Sequence, residues 1–173
     1  MIKKWCALAM ALLLTVGLAA CGAGDVGGES MASSEVQAEE SVASMAEADA
    51  ADSLDGLCEY LKGNGMISGD PLEMQAELIG AEKGAKYVFG YEGNNNVVVE
   101  LYEFKTSGLS SEAQAVVDSV KKDGTFAIMG QTVQGAVLSD SGKYLMIYKD
   151  SSTGEKNVAQ KEKVEKAFKA FKK

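Results

Sequence analysis

The 173-residue sequence contains no histidine, and all 17 of its basic residues are lysine. Without imidazole there is no histidine general base, no histidine metal ligand, and no Ser-His or Cys-His dyad. Without guanidinium, the planar two-pronged clamps favoured for phosphate and carboxylate are missing as well. The net charge of -8 leaves no basic footprint for nucleic acid, and arginine readers of bases do not exist here. Proline occurs once, at Pro71, so there is no polyproline linker. No repeat unit is visible. The length suits one ordinary domain and is too short for a two-lobed solute receptor.

What is present begins at the N-terminus. Lys3 and Lys4 precede Trp5 to Ala20, an apolar run interrupted only by Thr15 and Gly17. This pattern is that of the charged and apolar regions of an export signal. Its sixteen residues are marginal for a spanning helix, which needs about 20. The run ends in Leu18-Ala19-Ala20-Cys21, which resembles the lipobox of bacterial lipoproteins: a large apolar residue, two small ones, then cysteine. The resemblance covers about an eighth of the chain. It implies that Cys21 takes a diacylglycerol through its sulfur, that the peptide after Ala20 is cut, and that Cys21 becomes the mature N-terminus. Two or three acyl chains on one residue make a stable anchor where a single chain binds only marginally. The expected partner is therefore membrane lipid, and the expected location is the extracytoplasmic face of a cell membrane.

The remaining cysteines fit that division. Cys6 leaves with the signal, and Cys58 is alone in the folded part, so the mature chain has no internal disulfide. Leu54, Leu57, Cys58 and Leu61 fall at i, i+3, i+4 and i+7, which puts the Cys58 thiol on the apolar stripe of a short helix as a small hydrophobe. Residues 22 to 53 hold eight carboxylates and neither a base nor an aromatic ring. Too little apolar surface is available there to offset the entropy of ordering, and a disordered acidic tether spanning about 30 Å is expected. The expected organisation is 1–20 signal, 21–53 lipidated cysteine and tether, and 54–173 a domain close to neutral.

For that domain the expected order is ααββαβββα, an α+β fold with an antiparallel sheet of about five strands. Asp70-Pro71-Leu72-Glu73, with Gly80 as a stop, predicts a second helix over Pro71 to Ile79. Tyr87 to Tyr91 and Val97 to Phe104 flank a Gly/Asn turn and predict a hairpin in which Tyr91 opposes Val97 and Phe89 opposes Val99. Ser111-Glu112-Ala113-Gln114 reads as a capping box opening a helix with Ala113, Val116, Val117 and Val120 on its apolar stripe. Three strands follow, Thr125 to Met129, Thr132 to Leu138 and Lys143 to Lys149. A last helix over 156–171 carries Val164, Ala167, Phe168 and Phe171, with Glu162/Lys166 and Glu165/Lys169 as ion pairs.

Candidate chemistry is sparse. Ser119-Val120-Lys121-Lys122 matches S-x-x-K, but a serine nucleophile of that kind needs a helix N-terminus and Ser119 sits near a helix end. Glu100 and Glu103 point to opposite faces of one strand and cannot flank one glycosidic bond. The oxygen-rich loops Glu92 to Asn96 and Ser139 to Ser141 lack the carboxylate spacing of an EF-hand. No phosphate loop, dinucleotide fingerprint or nucleophile elbow is present. Tyr87, Tyr91, Tyr102, Tyr144 and Tyr148 would line either a groove or, on the plainer reading, the rim of a core. The expectation is a non-enzymatic binding module without cofactor or metal, taking a protein, a cell-wall fragment or a small solute. The alternatives are an accessory or inhibitory subunit acting through a sheet face or hairpin tip, and a small envelope hydrolase.

Overall fold

The computed structural model describes residues 44–173. Ala20 and Cys21, with the rest of the expected signal and the expected tether up to residue 43, lie outside the described residues. After a single 3-10 turn at Glu47–Asp49, the elements in chain order are α1 (Leu54–Gly63), β1 (Leu72–Glu73), a 3-10 turn at Ala76–Ile79, β2 (Lys83–Phe89), β3 (Val97–Glu103) and α2 (Ser111–Asp123). Then come β4 (Thr125–Ile128), β5 (Gln131–Gln134), β6 (Ala136–Leu138), β7 (Tyr144–Asp150) and α3 (Glu155–Ala170). Five strands form one antiparallel sheet in the order β1-β2-β3-β7-β6, and β4-β5 form a separate two-stranded sheet. The fold is α+β.

The sheet is the middle of three layers. Ala85, Tyr87, Phe89, Val97, Val99, Leu101, Tyr144, Met146 and Tyr148 face α1 and α3. Tyr102, Leu145 and Ile147 face α2, the 3-10 turn and the β4-β5 hairpin. Residues 144–148 of β7 are therefore buried on both sides, as an unbroken apolar run in a central strand requires. No helix among the described residues is long and apolar enough to cross a membrane.

Five local expectations are corrected. Pro71 to Ile79 is not a helix: Leu72 and Glu73 pair with Lys86 and Ala85 at the sheet edge, and only Ala76–Ile79 makes a 3-10 turn. A nine-residue helix is weakly stable by itself, and the unpaired backbone of β2 outcompetes its capping signal. The β2-β3 register is displaced by two residues, with Phe89 opposite Val97 and Tyr87 opposite Val99. The Asn96 side chain bonds Tyr91 N and O at 3.0 and 2.9 Å and closes a longer loop. Because side chains alternate with a period of two, the same residues still face the core. The strand expected over 132–138 breaks at Gly135, φ +73°, so that β5 pairs with β4 and β6 with β7. The N-cap of α2 is Ser110, whose hydroxyl accepts from Ala113 N at 3.1 Å, one residue earlier than expected. In α3 the ion pair within reach is Lys161–Glu165 at 3.8 Å rather than Glu162/Lys166 and Glu165/Lys169.

The ordered domain also begins before Leu54. Ala50 is buried in the first core and Met45 packs against it. Gly56 allows this approach, since a Cβ there would collide with the Ala51 carbonyl. Residues 45–53 form a strap laid along α1, and the sequence conceals it because its polar anchors, Lys143 and Lys172, lie far along the chain.

Candidate functional site

The residues singled out from sequence do not converge. Cys58 is buried in α1, and burial raises its thiol pKa, the opposite of what a reactive thiol needs. Glu100 and Glu103 sit on opposite faces of β3 and each meets a lysine, Lys86 at 3.4 Å and Lys143 at 3.2 Å. Tyr87, Tyr144 and Tyr148 belong to one core and Tyr102 to the other, so the tyrosines do not line one groove. Among the described residues the buried Tyr148 hydroxyl finds no hydrogen-bond partner, and burial, with Asp150 nearby, pushes its pKa up to about 12. Ser119 lies in the last half of α2, and among the described residues no lysine ammonium donates to a serine. No group of three or more acidic or cysteine side chains able to hold a metal occurs among the described residues.

Where charges do converge, they hold the strap. Lys143 Nζ meets Asp52 Oδ1 at 3.1 Å and Glu103 Oε1 at 3.2 Å, and donates to Asp52 O at 2.7 Å. The Lys143 and Glu103 side chains are 13% and 12% exposed, while Asp52 is 58% exposed. Tyr144 Oη donates to Asp52 Oδ1 at 2.7 Å, and Leu54 N donates to Glu103 Oε2 at 2.8 Å. The Tyr144 bond, joined by Lys143, holds the Asp52 carboxyl below its ordinary pKa against the opposing effect of burial. Burial alone would lower the Lys143 pKa, but its bonds to Tyr144, Asp52 and Glu103 outweigh this and raise it. At the other end of the strap, Glu47 Oε1 accepts from Lys172 N at 2.7 Å and Asn64 Nδ2 donates to Met45 O at 2.9 Å. Each group in this network is spent on another, which is the signature of a structural clamp.

A different arrangement surrounds the β4-β5 hairpin. Residues 124–139 carry no charged side chain, in a chain that is 24% charged. The turn is Met129-Gly130, with φ +50° and +78°. Two left-handed residues make a type I′ turn, where Asn-Gly or Gly-Gly is favoured and methionine is strained. Met129 is nonetheless there and is 86% exposed. Beside it lies an open groove of about 380 Å³ whose lining includes Leu78, Ile79, Val116, Phe126, Ile128 and Met129. Leu78, from the 3-10 turn, is itself 47% exposed. Sequence reasoning placed Met129 at the end of a strand and Leu78 in a helix, and so missed both. The charge-free run around a Met-Gly pair was the available signal.

No family model, no curated protein and no solved structure matches this chain.

Proposed function

We propose that the protein is an exported lipoprotein, held on the extracytoplasmic face of a membrane by acylated Cys21, whose α+β domain works as a non-enzymatic binding module. The contact surface is the apolar groove beside the β4-β5 hairpin, used in the manner of an accessory or inhibitory subunit. The observation that carries the reading is Met129: an apolar side chain displayed to solvent from a backbone conformation that disfavours it. Strain of that kind persists where something other than stability maintains it. Support for the anchor is the Leu18-Ala19-Ala20-Cys21 sequence. An apolar groove with a single carboxylate, Glu112, among its lining residues suits the apolar side chains of a protein partner better than a sugar.

Two experiments test the two halves. Cys21→Ser is expected to abolish palmitate labelling and detergent-phase partitioning; unchanged labelling would remove the anchor. A photo-reactive amino acid in place of Met129 in the full-length chain is expected to give a discrete adduct in envelope membranes, while one in place of Asp118 on the exposed side of α2 gives none. Equal labelling from both positions would remove the groove as the contact surface.

A further inference from the structure

Sulfur is divided unevenly between the cores and the surface of this domain. Of the five methionines among the described residues, Met66 and Met146 are buried, and Met45 and Met74 are half-buried, each packed against a core. Met129 stands apart, displayed almost whole to solvent. Cys58, the one thiol among the described residues, is closed to oxidants in two ways. It is buried, and burial raises its pKa, so the reactive thiolate is scarce. The sulfur that an oxidant in solution meets first in the described domain is therefore the Met129 thioether, which reacts without losing a proton.

We infer that Met129 is an oxidation site, reactive towards hydroperoxides such as hydrogen peroxide, whose conversion to the sulfoxide withdraws the groove from its partner. This regulation acts on the proposed contact surface and rests on that reading. The sulfur lone pair attacks one peroxide oxygen, an S–O bond forms as the O–O bond breaks, and the proton on the transferred oxygen passes to the departing hydroxide, giving water. Sulfur loses two electrons and the peroxide gains them. The product side chain is polar where the reactant was apolar. Its new oxygen stands beside Leu78, Ile79, Val116, Phe126 and Ile128, and residues 124–139 supply no charged donor to receive it. A partner that buries this oxygen unpaired is held about tenfold to a hundredfold less tightly. Leucine would display as much apolar surface, and asparagine or glycine would relieve the turn; a thioether adds a contact that can be switched off. Sulfoxide reductases restore it, removing the oxygen as water while two thiols become a disulfide.

The full-length chain in envelope membranes provides the test. Limited hydrogen peroxide followed by peptide mass spectrometry is expected to add one oxygen to Met129 about tenfold faster than to Met45, Met66, Met74 or Met146. The rate should not vary across the neutral pH range, because a thioether carries no proton, whereas oxidation through a thiolate would quicken as the pH rises. Partner adducts from a photo-reactive residue in place of Leu78 are expected to fall about tenfold after the treatment and to return with methionine sulfoxide reductase and dithiothreitol. Met129→Leu keeps the apolar contact without an oxidisable sulfur, so its adducts should persist through peroxide with an unchanged thermal midpoint. Met129→Gln, polar in both conditions, should give few adducts even untreated. Equal oxidation of the five methionines, or oxidation of Cys58 before Met129, would overturn the site. Adducts that survive full oxidation of Met129, or that peroxide removes equally from the Met129→Leu chain, would overturn the switch and leave the contact surface standing. An untreated chain without any adduct from position 78 would sink the contact surface and the switch together.

Discussion

The clamp at Lys143 and the hairpin at Met129 lie on opposite faces of the same sheet and were built by opposite rules. At the clamp, charges at 12–13% exposure are matched to partners drawn from four places in the chain: the strap, the start of α1, the end of β3 and the start of β7. At the hairpin there are no charges to match, an apolar side chain is displayed, and the turn adopts a conformation its residue disfavours. The first region is closed upon itself, and a ligand there would have to break ion pairs to enter. The second leaves a groove without a partner among the described residues. Internal satisfaction identifies the structural site and its absence identifies the contact site, although charged clusters are the usual first suspects for function.

The contrast is broken most severely by undermining the sheet on which both regions rest. Phe168 of α3 is fully buried against the sheet, and Phe168→Ala is expected to cost about 3–5 kcal/mol through lost transfer energy and the cavity left behind. Chemical denaturation read by far-ultraviolet circular dichroism measures it; a loss under 1 kcal/mol would mean that α3 contributes little to the first core. Next comes the clamp. Lys143→Met leaves Glu103 nearly buried without its cation, while Asp52 can turn to water. The expected loss is about 1–3 kcal/mol, below the full penalty of a buried orphan charge because one partner is solvated. The strap should loosen with it, seen as faster proteolysis near residues 45–53 and unchanged proteolysis at the hairpin.

These two sites were unequally legible in the sequence. The α+β class, the core face of the β2-β3 hairpin, the buried run of β7 and the stripe of α3 follow from periodicity, which reports burial directly. The two-residue register displacement was invisible because it leaves every side chain on its expected face. Pro71 to Ile79 misled because local capping chemistry says nothing of a neighbouring strand edge seeking partners. The clamp could not be read at all: Asp52 and Lys143 are 91 residues apart, and nothing in either neighbourhood marks the other. The hairpin was half legible. Its strands were expected, but Met129 was counted as apolar strand and not as a turn residue, since type I′ turns normally announce themselves with Asn-Gly.

Titration sharpens the contrast without a mutation. The Asp52 pKa is lowered by folding, so its contribution is present above the ordinary aspartate value of about 3.9 and is lost as the pH falls through the lower folded value. The Lys143 pKa is raised, so its contribution is full below the unfolded value and is lost only as the pH rises through the higher folded one. The clamp should therefore hold across the neutral range and open at both extremes. Residues 124–139 contain no titrating side chain; Asp123, whose pKa is lowered by its bonds to Thr125, touches only the start of β4, so the Thr132 amide should be silent. Nuclear magnetic resonance of the Leu54 and Thr132 amides follows the two regions at once. An acid transition at Leu54 with none at Thr132 is expected, and a common midpoint would mean that the two faces unfold together.

The smallest effect carries a reversed sign. Met129→Asn puts the residue preferred at the first position of a type I′ turn where methionine now holds φ +50°, and relieves strain worth about 0.5–1 kcal/mol. Because Met129 is 86% exposed, almost no packing is lost in exchange, so the thermal midpoint is expected to rise by a few degrees. The same substitution deletes the apolar group that the groove displays, so partner adducts from a photo-reactive residue in place of Leu78 should fall. A more stable protein that binds less well is the outcome expected when a turn residue is kept for contact. If Met129→Asn lowered stability, the side chain would be packing against the groove instead of displayed beside it, and the strained turn would be structural after all.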